Sequence, residues 1–250
     1  MNELEELLER AGADPSERPA FYRLLVRSVI LVLAPYPAHV DDQGYHRWDQ
    51  PLGFIVWGDD QSSYVPLFTS IRTLVEATSG SPEPYAHVKM QAVDAFRAVA
   101  VKGHNAVLNP ASASGKEFSA AEVASLAIGK FFSPQLRDVL HPSEVVLSPP
   151  ESIPSRLLEV FTRYLSTIPA VESAHLASVT YPADRAVPRL VLAIKGQGDL
   201  STAIQDLGII AREVIPPKGP TLDVMVLERS GVINGYFHTE SSPFYRRGGA

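Results

Sequence analysis

Apolar and polar positions recur along this chain with two different periods, and the changes from one to the other outline an order of elements. Leu4, Leu7, Leu8 and Ala11 recur at helical spacing, with Asn2 and Glu5 placed as the halves of a capping box and Gly12 as a stop. Asp14-Pro15 starts a turn, and Pro19 suits the first turn of a second helix that carries Phe21, Leu24 and Leu25 inward. The period then changes: residues 29–33, VILVL, are aliphatic without interruption and predict a buried strand. After a loop over 35–53, the runs 54–57 and 64–68 predict a hairpin around the polar turn 58–62. Thr69 or Ser70 caps a helix built on Ile71, Leu74 and Val75, which Gly80 ends. A strand over 82–90, a helix with Val93, Phe96 and Val99, and a short strand over 106–108 follow. Ser119 and Glu122 then form a second capping box, ahead of Val123 and Leu126, and Gly129 closes that helix.

The stretch 145–155, VVLSPPESIPS, has the proline and serine content of a junction, so two domains are expected, 1–145 and 146–250. Beyond it, Leu157, Leu158, Phe161 and Leu165 predict a helix that stops before Pro169. Strands over 171–181 and 189–195 flank a turn at 182–188, Asp199 caps a helix with Ala203, Ile204 and Leu207, and 222–227 is a further strand. This order implies the α+β class: two domains, each a mixed or antiparallel sheet covered by helices.

Composition narrows the function classes. With 45% hydrophobic and 20% charged residues, the chain has enough apolar mass for a sizeable core. A formal net charge of -6 argues against a nucleic-acid partner, since that binding is driven by Lys and Arg. Cysteine is absent, which removes disulfides, thiolate metal sites and a cysteine nucleophile. The N-terminus is acidic and amphipathic rather than a signal peptide. The most apolar stretch, 24–34, is far shorter than the roughly 20 residues a membrane span requires. A cytoplasmic protein with no membrane association is expected.

Candidate chemistry is sparse. Gly115-Lys116 resembles the end of a phosphate-binding loop, but Glu117 and Pro110 stand where its hydroxyl and first glycine belong. Gly196 and Gly198 lack the third glycine of a dinucleotide fingerprint and read as a tight turn. The seven histidines include no pair at zinc-binding spacing; His175 reads as a sheet residue among apolar neighbours, and His238 lies in a polar context. Asp41-Asp42 and Asp59-Asp60 read as loop-solvating pairs, because adjacent carboxylates usually diverge. Ser70 and Ser114 lack a nucleophile elbow. Tyr45, Trp48, Trp57 and Tyr64 are aromatic core by default, with a pocket or partner groove as the other reading. No catalytic residue, cofactor or metal site is expected.

The segments NELEELLERAGADPSERPAFYRLL, YVPLFTS, VLNPASASGKEFSAAEVASLAIG and SSPFYRRGG resemble the SseB family, named for enhanced serine sensitivity. The resemblance spans nearly the whole chain and implies an SseB N-terminal domain followed by an SseB C-terminal domain, with no established reaction to carry over. The positions that match its pattern include Phe21, Phe68 and Phe118, which read as core anchors, and Gly115 and Gly129, which read as backbone requirements. Thr69, Ser70, Asn109, Lys116 and Glu117 remain as the polar residues expected to line a surface or shallow pocket for a ligand or partner. The expectation is a non-enzymatic binding or adaptor protein that takes a protein partner or a small amino-acid-like ligand and so affects serine sensitivity. The rivals are a hydrolase or transferase using the 69–70 and 109–117 turns, and a homodimeric interaction scaffold.

Overall fold

The structure is a computed structural model that describes residues 1–36, 38–49, 52–58, 62–79, 85–129, 146–181, 184–216, 218–228 and 232–248. It contains two compact units, one of residues 1–13 and 20–131, the other of residues 14–19 and 132–250. The expected junction after 145 adjoins residues 130–145, which lie outside the described residues.

In the first unit, α1 (Glu3–Ala13) and α2 (Arg18–Arg27) lead into β1 (Val29–Ala34), followed by β2 (Trp57–Gly58), β3 (Ser63–Phe68) and α3 (Ile71–Thr78). Then come β4 (Ala86–Gln91), α4 (Ala92–Val101), β5 (Asn105–Leu108), β6 (Lys116–Phe118) and α5 (Ala120–Ala127). The sheet order is β4-β1-β3-β5-β6, with β2 also on β3. It is mixed, because β3 and β5 run parallel while β1 pairs antiparallel with both β3 and β4.

The run 29–33 lacks polar residues because both faces of β1 are covered. Leu31 and Leu33 meet Phe68 and Leu74 on one side, while Ile30 and Val32 are fully buried on the other. Phe21, Phe68 and Phe118 are the anchors their sequence context implied, each at most 1% exposed, and Phe118 packs edge-on against Phe96 and Tyr22. Burying each such ring is worth about 1.5–3 kcal/mol, enough for any one of them to matter to a domain of this size.

Two expectations for this unit change. The hairpin exists, but its first strand is only Trp57–Gly58. Leu67 and Phe68 already pair with β1 along the same edge of β3, and the Ile55 amide donates to Leu33 instead, so β2 has only Ser63 and Tyr64 to pair with. Residues 116–118, read as part of a turn, form an edge strand antiparallel to β5. The predicted strand over 82–90 begins at Ala86, and residues 81–84 lie outside the described residues.

The second unit contains a short 3-10 turn (Pro15–Glu17), β7 (Val146–Ser148), α6 (Leu157–Ser166), β8 (Val171–Tyr181) and β9 (Asp184–Gly196). These are followed by α7 (Ser201–Val214), β10 (Thr221–Val226), α8 (Val232–Thr239) and β11 (Tyr245–Arg246). The sheet order is β10-β9-β8-β11, with β7 also on β8; β9 and β10 are parallel, joined through α7. Alternation along the strands separates two cores. Ala174, Leu176, Leu192 and Ile194 face α6 and α7, whereas Ala177, Val179, Val191 and Ala193 pack with Phe237 of α8.

Asp14 accepts from the amide of Ser16 and from Arg163 at 2.6 Å, so it caps the 3-10 turn and holds it to α6. Of the expected turn at 182–188, residues 184–188 are already strand, since β9 starts at Asp184, and 182–183 lie outside the described residues. Asp199 accepts from the amide of Ser201, but from one residue before the expected position: the N-cap of α7 is Leu200, which makes no side-chain capping bond. Neither α8 nor β11 was foreseen; β11 is a strand of only two residues, and β7, of three, lies in the expected junction.

Candidate functional site

The parallel register of β3 and β5 brings two segments of the sequence together. Leu67 pairs with Leu108, so Thr69 and Asn109 emerge side by side at the same end of the sheet. The Asn109 amide donates to Leu67 O, and its φ of 51° places it in the left-handed region, which asparagine tolerates better than most residues. This turn aims the Asn109 side chain at Thr69: Oδ1 accepts from the Thr69 amide at 3.0 Å, and Nδ2 donates to Thr69 Oγ1 at 3.0 Å.

Below the same turn, Ser112 N donates to Asn109 O and Gly115 N to Ser112 O. A Cβ on Gly115 would lie 2.8 Å from Asn109 O, so the glycine is needed for this close approach of backbone to backbone.

The third participant is Glu5 of α1, only 6% exposed. It accepts from Thr69 Oγ1 at 2.8 Å, Ser70 Oγ at 2.7 Å, Arg72 Nη2 at 2.9 Å and the Asn2 amide at 3.2 Å. Asn2 returns the contact, since its Oδ1 accepts from the Glu5 amide and its Nδ2 donates to Thr69 O. Ser70 also caps α3, accepting from the Thr73 amide.

Burial pushes the Glu5 carboxyl up, but the hydrogen bonds from Ser70, Thr69, Arg72 and Asn2 outweigh it and bring the group down from 4.5 to about 2. Thr69 has one hydroxyl proton, and an ionised carboxylate is the stronger acceptor for it, so Asn109 acts on Thr69 as amide donor and as acceptor for the backbone. The result is a closed set of donors and acceptors linking α1, the start of α3 and the end of β5.

Of the five residues singled out from sequence, the structure joins Thr69, Ser70 and Asn109 in this network. Lys116 and Glu117 lie on β6, with Lys116 opposite Leu108 and Glu117 opposite Val107. The Lys116 ammonium is 3.8 Å from Glu122 and 5.6 Å above the Phe118 ring, while Glu117 points to solvent. Sequence reasoning missed Glu5 and Arg72 as members. The available signal was that Glu5 borders the apolar stripe of α1 through Leu4 and Leu8, an unusual place for a carboxylate without partners.

The other candidates resolve locally. Asp41 Oδ1 accepts from the amides of Gln43 and Tyr45, closing a turn, and Asp59-Asp60 lie outside the described residues. Trp57 packs edge-on against Tyr64 and Phe68, whereas Trp48 is exposed. Gly196 needs its bare Cα because a Cβ would meet Ala170 O. Among the described residues, no group of three His, Asp or Glu is placed to hold a metal ion, and no helix is long and apolar enough to cross a membrane.

The SseB protein N-terminal domain family matches residues 4–125, which include every member of this network except Asn2, and the SseB protein C-terminal domain family matches 139–247. The chain belongs to the SseB family. It is 31% identical over 254 aligned positions to Protein SseB of Escherichia coli (strain K12), an alignment covering 98% of this chain and 92% of that one. Protein SseB of Shigella flexneri matches with the same identity and coverage. No solved structure matches the chain. The two SseB domain families meet in the 126–138 interval, and the two compact units divide at 131/132.

Proposed function

We propose that this SseB-family protein works by binding rather than by catalysis, as a cytoplasmic adaptor of amino-acid metabolism that engages a protein partner through its N-terminal domain. The carrying observation is how the hydroxyls of Thr69 and Ser70 are used. Both donate to Glu5, a carboxylate held down to about 2, and so acidic a group is a feeble general base at neutral pH. The same bonds brace the capped start of α3. The outer face of that helix carries Ile71 at 49% and Val75 at 54% exposure, one turn apart, beside the Arg72–Glu76 ion pair. A braced helix with apolar residues flanked by fixed charges supports a protein-contact surface more than a reaction centre. The effect on serine sensitivity implied by the family resemblance would then run through the partner's activity.

The test must leave Thr69, Ser70 and Asn109 intact, because altering them disturbs the fold. The tagged protein and an Ile71→Asp/Val75→Asp variant of unchanged melting temperature are used for affinity capture from the native cytoplasm. A stoichiometric protein recovered by the wild type and lost from the variant is the expected result. Metabolite turnover by the purified protein that disappears in Lys116→Ala/Glu117→Ala, with no partner captured, would replace this reading with the hydrolase or transferase one.

A further inference from the structure

The C-terminal tail SSPFYRRGG pairs with β8 as β11, and its register has a chemical consequence that the N-terminal surface does not share. Ser173 lies opposite Lys195 on one side and opposite Arg246 on the other. Directly paired residues of antiparallel strands project from the same face of a sheet. Tyr245 and Ile194 belong to the core beneath α6 and α7, so Arg246 and Lys195 project from the other face, the one α8 covers.

His175, two residues along β8 from Ser173, shares that face and is 7% exposed. Its Nδ1 donates to Ser241 O, at 3.2 Å, in the chain leaving α8, and its ring meets Phe237 edge-on. α8 thus covers the sheet as far as the His175 row. The next row, Lys195–Ser173–Arg246, lies beyond the end of that cover, with both cations exposed.

We propose that this row and His175 form a binding site for a tetrahedral dianion, the phosphate group of a small phosphorylated molecule. The donors are of the types such a group requires: a guanidinium fork, an ammonium and a hydroxyl from three neighbouring strands, joined by the imidazole when it is protonated at Nε2. Among the described residues, the Arg246 guanidinium and His175 Nε2 make no hydrogen bond; the guanidinium donates as it stands, and Nε2 becomes a donor when a bound anion favours the imidazolium. Lys195 lies 3.7 Å from Glu172, whose other oxygen accepts from Gln197, and a bound anion would draw Lys195 away from that exposed pair.

The end of α8 also favours cations, but a helix terminus carries only about half an elementary charge, less than the single net charge that Lys195 and Arg246 leave beside Glu172. The existing field supports the same placement. His175 is held below its ordinary value first by burial and then by the positive charges of Arg246, His238 and Lys195, against the upward pull of its bond to Ser241.

The experiment titrates the full-length protein with inorganic phosphate, a small phosphomonoester (glycerol phosphate) and acetate at constant ionic strength. Calorimetry gives the affinity, and backbone and imidazole NMR gives the location. Saturable phosphate binding is expected, with shifts concentrated at Ser173, His175 and Arg246, an upward move of the His175 titration midpoint, and much weaker binding of acetate. The phosphomonoester binding more tightly than phosphate identifies a phosphorylated metabolite as the source, and the reverse order identifies free phosphate.

Lys195→Gln/Arg246→Gln is expected to weaken binding at least about tenfold, the loss of two charge-assisted contacts. Arg47→Gln, in the other unit, serves as the unchanged control. Absence of saturation, shifts located elsewhere, acetate binding as tightly as phosphate, or full affinity in the double variant would overturn the proposal. The wild-type shifts require no variant, so a folding defect in the double variant leaves the decision intact.

Discussion

The two domains place their polar side chains in opposite ways. At the β3–α3 junction, Glu5, Thr69, Ser70, Arg72 and Asn109 are turned toward one another, and Glu5 is almost wholly removed from solvent. At the β11 end of the second sheet, Lys195 and Arg246 stand exposed in a row across three strands. The first set holds helices to a sheet, and the second leaves charge facing outward. A polar motif in a sequence is therefore not yet a binding surface. What decides is whether the fold supplies each donor with an internal acceptor, and an unsatisfied buried group costs more than a satisfied one contributes.

The sharpest way to break this contrast is Glu5→Ala. Removing the shared acceptor leaves two hydroxyls and part of a guanidinium without their partner, and a loss of about 2–4 kcal/mol in denaturant unfolding of the first domain is expected. A loss below about 0.5 kcal/mol would mean that the network is an ornament of the surface.

Acid titration sharpens it next. The Glu5 carboxyl is lower in the folded chain than its ordinary 4.5, so its contribution is fully present above that value and is lost as pH falls toward about 2. His175 is also depressed, but as a base. The unfolded chain takes up the proton first as pH falls below about 6.5, so the second domain loses stability from there downward, and more of it is retained above. Domain-resolved hydrogen exchange between pH 7 and pH 3 should show the second domain weakening at the higher pH. Glu5→Gln should remove the acid dependence of the first domain alone.

The smallest effect is expected from Lys195→Gln/Arg246→Gln, at under about 0.5 kcal/mol, because exposed charges contribute little to folding. A fall of 2 kcal/mol or more in chemical denaturation would show that this row, too, is structural.

Much of the N-terminal domain was readable because its signals are local. The Asn2/Glu5 and Ser119/Glu122 boxes form as their spacing required, with Ser70 capping α3, and the aliphatic run of β1 is buried on both faces. The candidate site was half legible. Thr69, Ser70 and Asn109 stand at the ends of strands, where turn chemistry marks them. Glu5 was visible only as a cap, because its second role depends on partners 64 to 67 residues away.

In the second domain, β11 was unreadable as a strand for a related reason. Two residues carry no period, and Tyr245 and Arg246 acquire opposite faces only by pairing with Ala174 and Ser173.

By itself the amino-acid sequence determined the α+β class, the capped starts of α1, α3 and α5, the buried aromatic anchors and the family, since each rests on residues close together in the chain or on a pattern running along it. Tertiary structure alone decided which polar residues are consumed and which stay available. Strand register sets which side chains share a face, and a shift of a single residue would have exchanged Arg246 for Tyr245. Long-range pairing of β3 with β5, and of β8 with β9 and β11, turned separate stretches of sequence into one closed network and one open row.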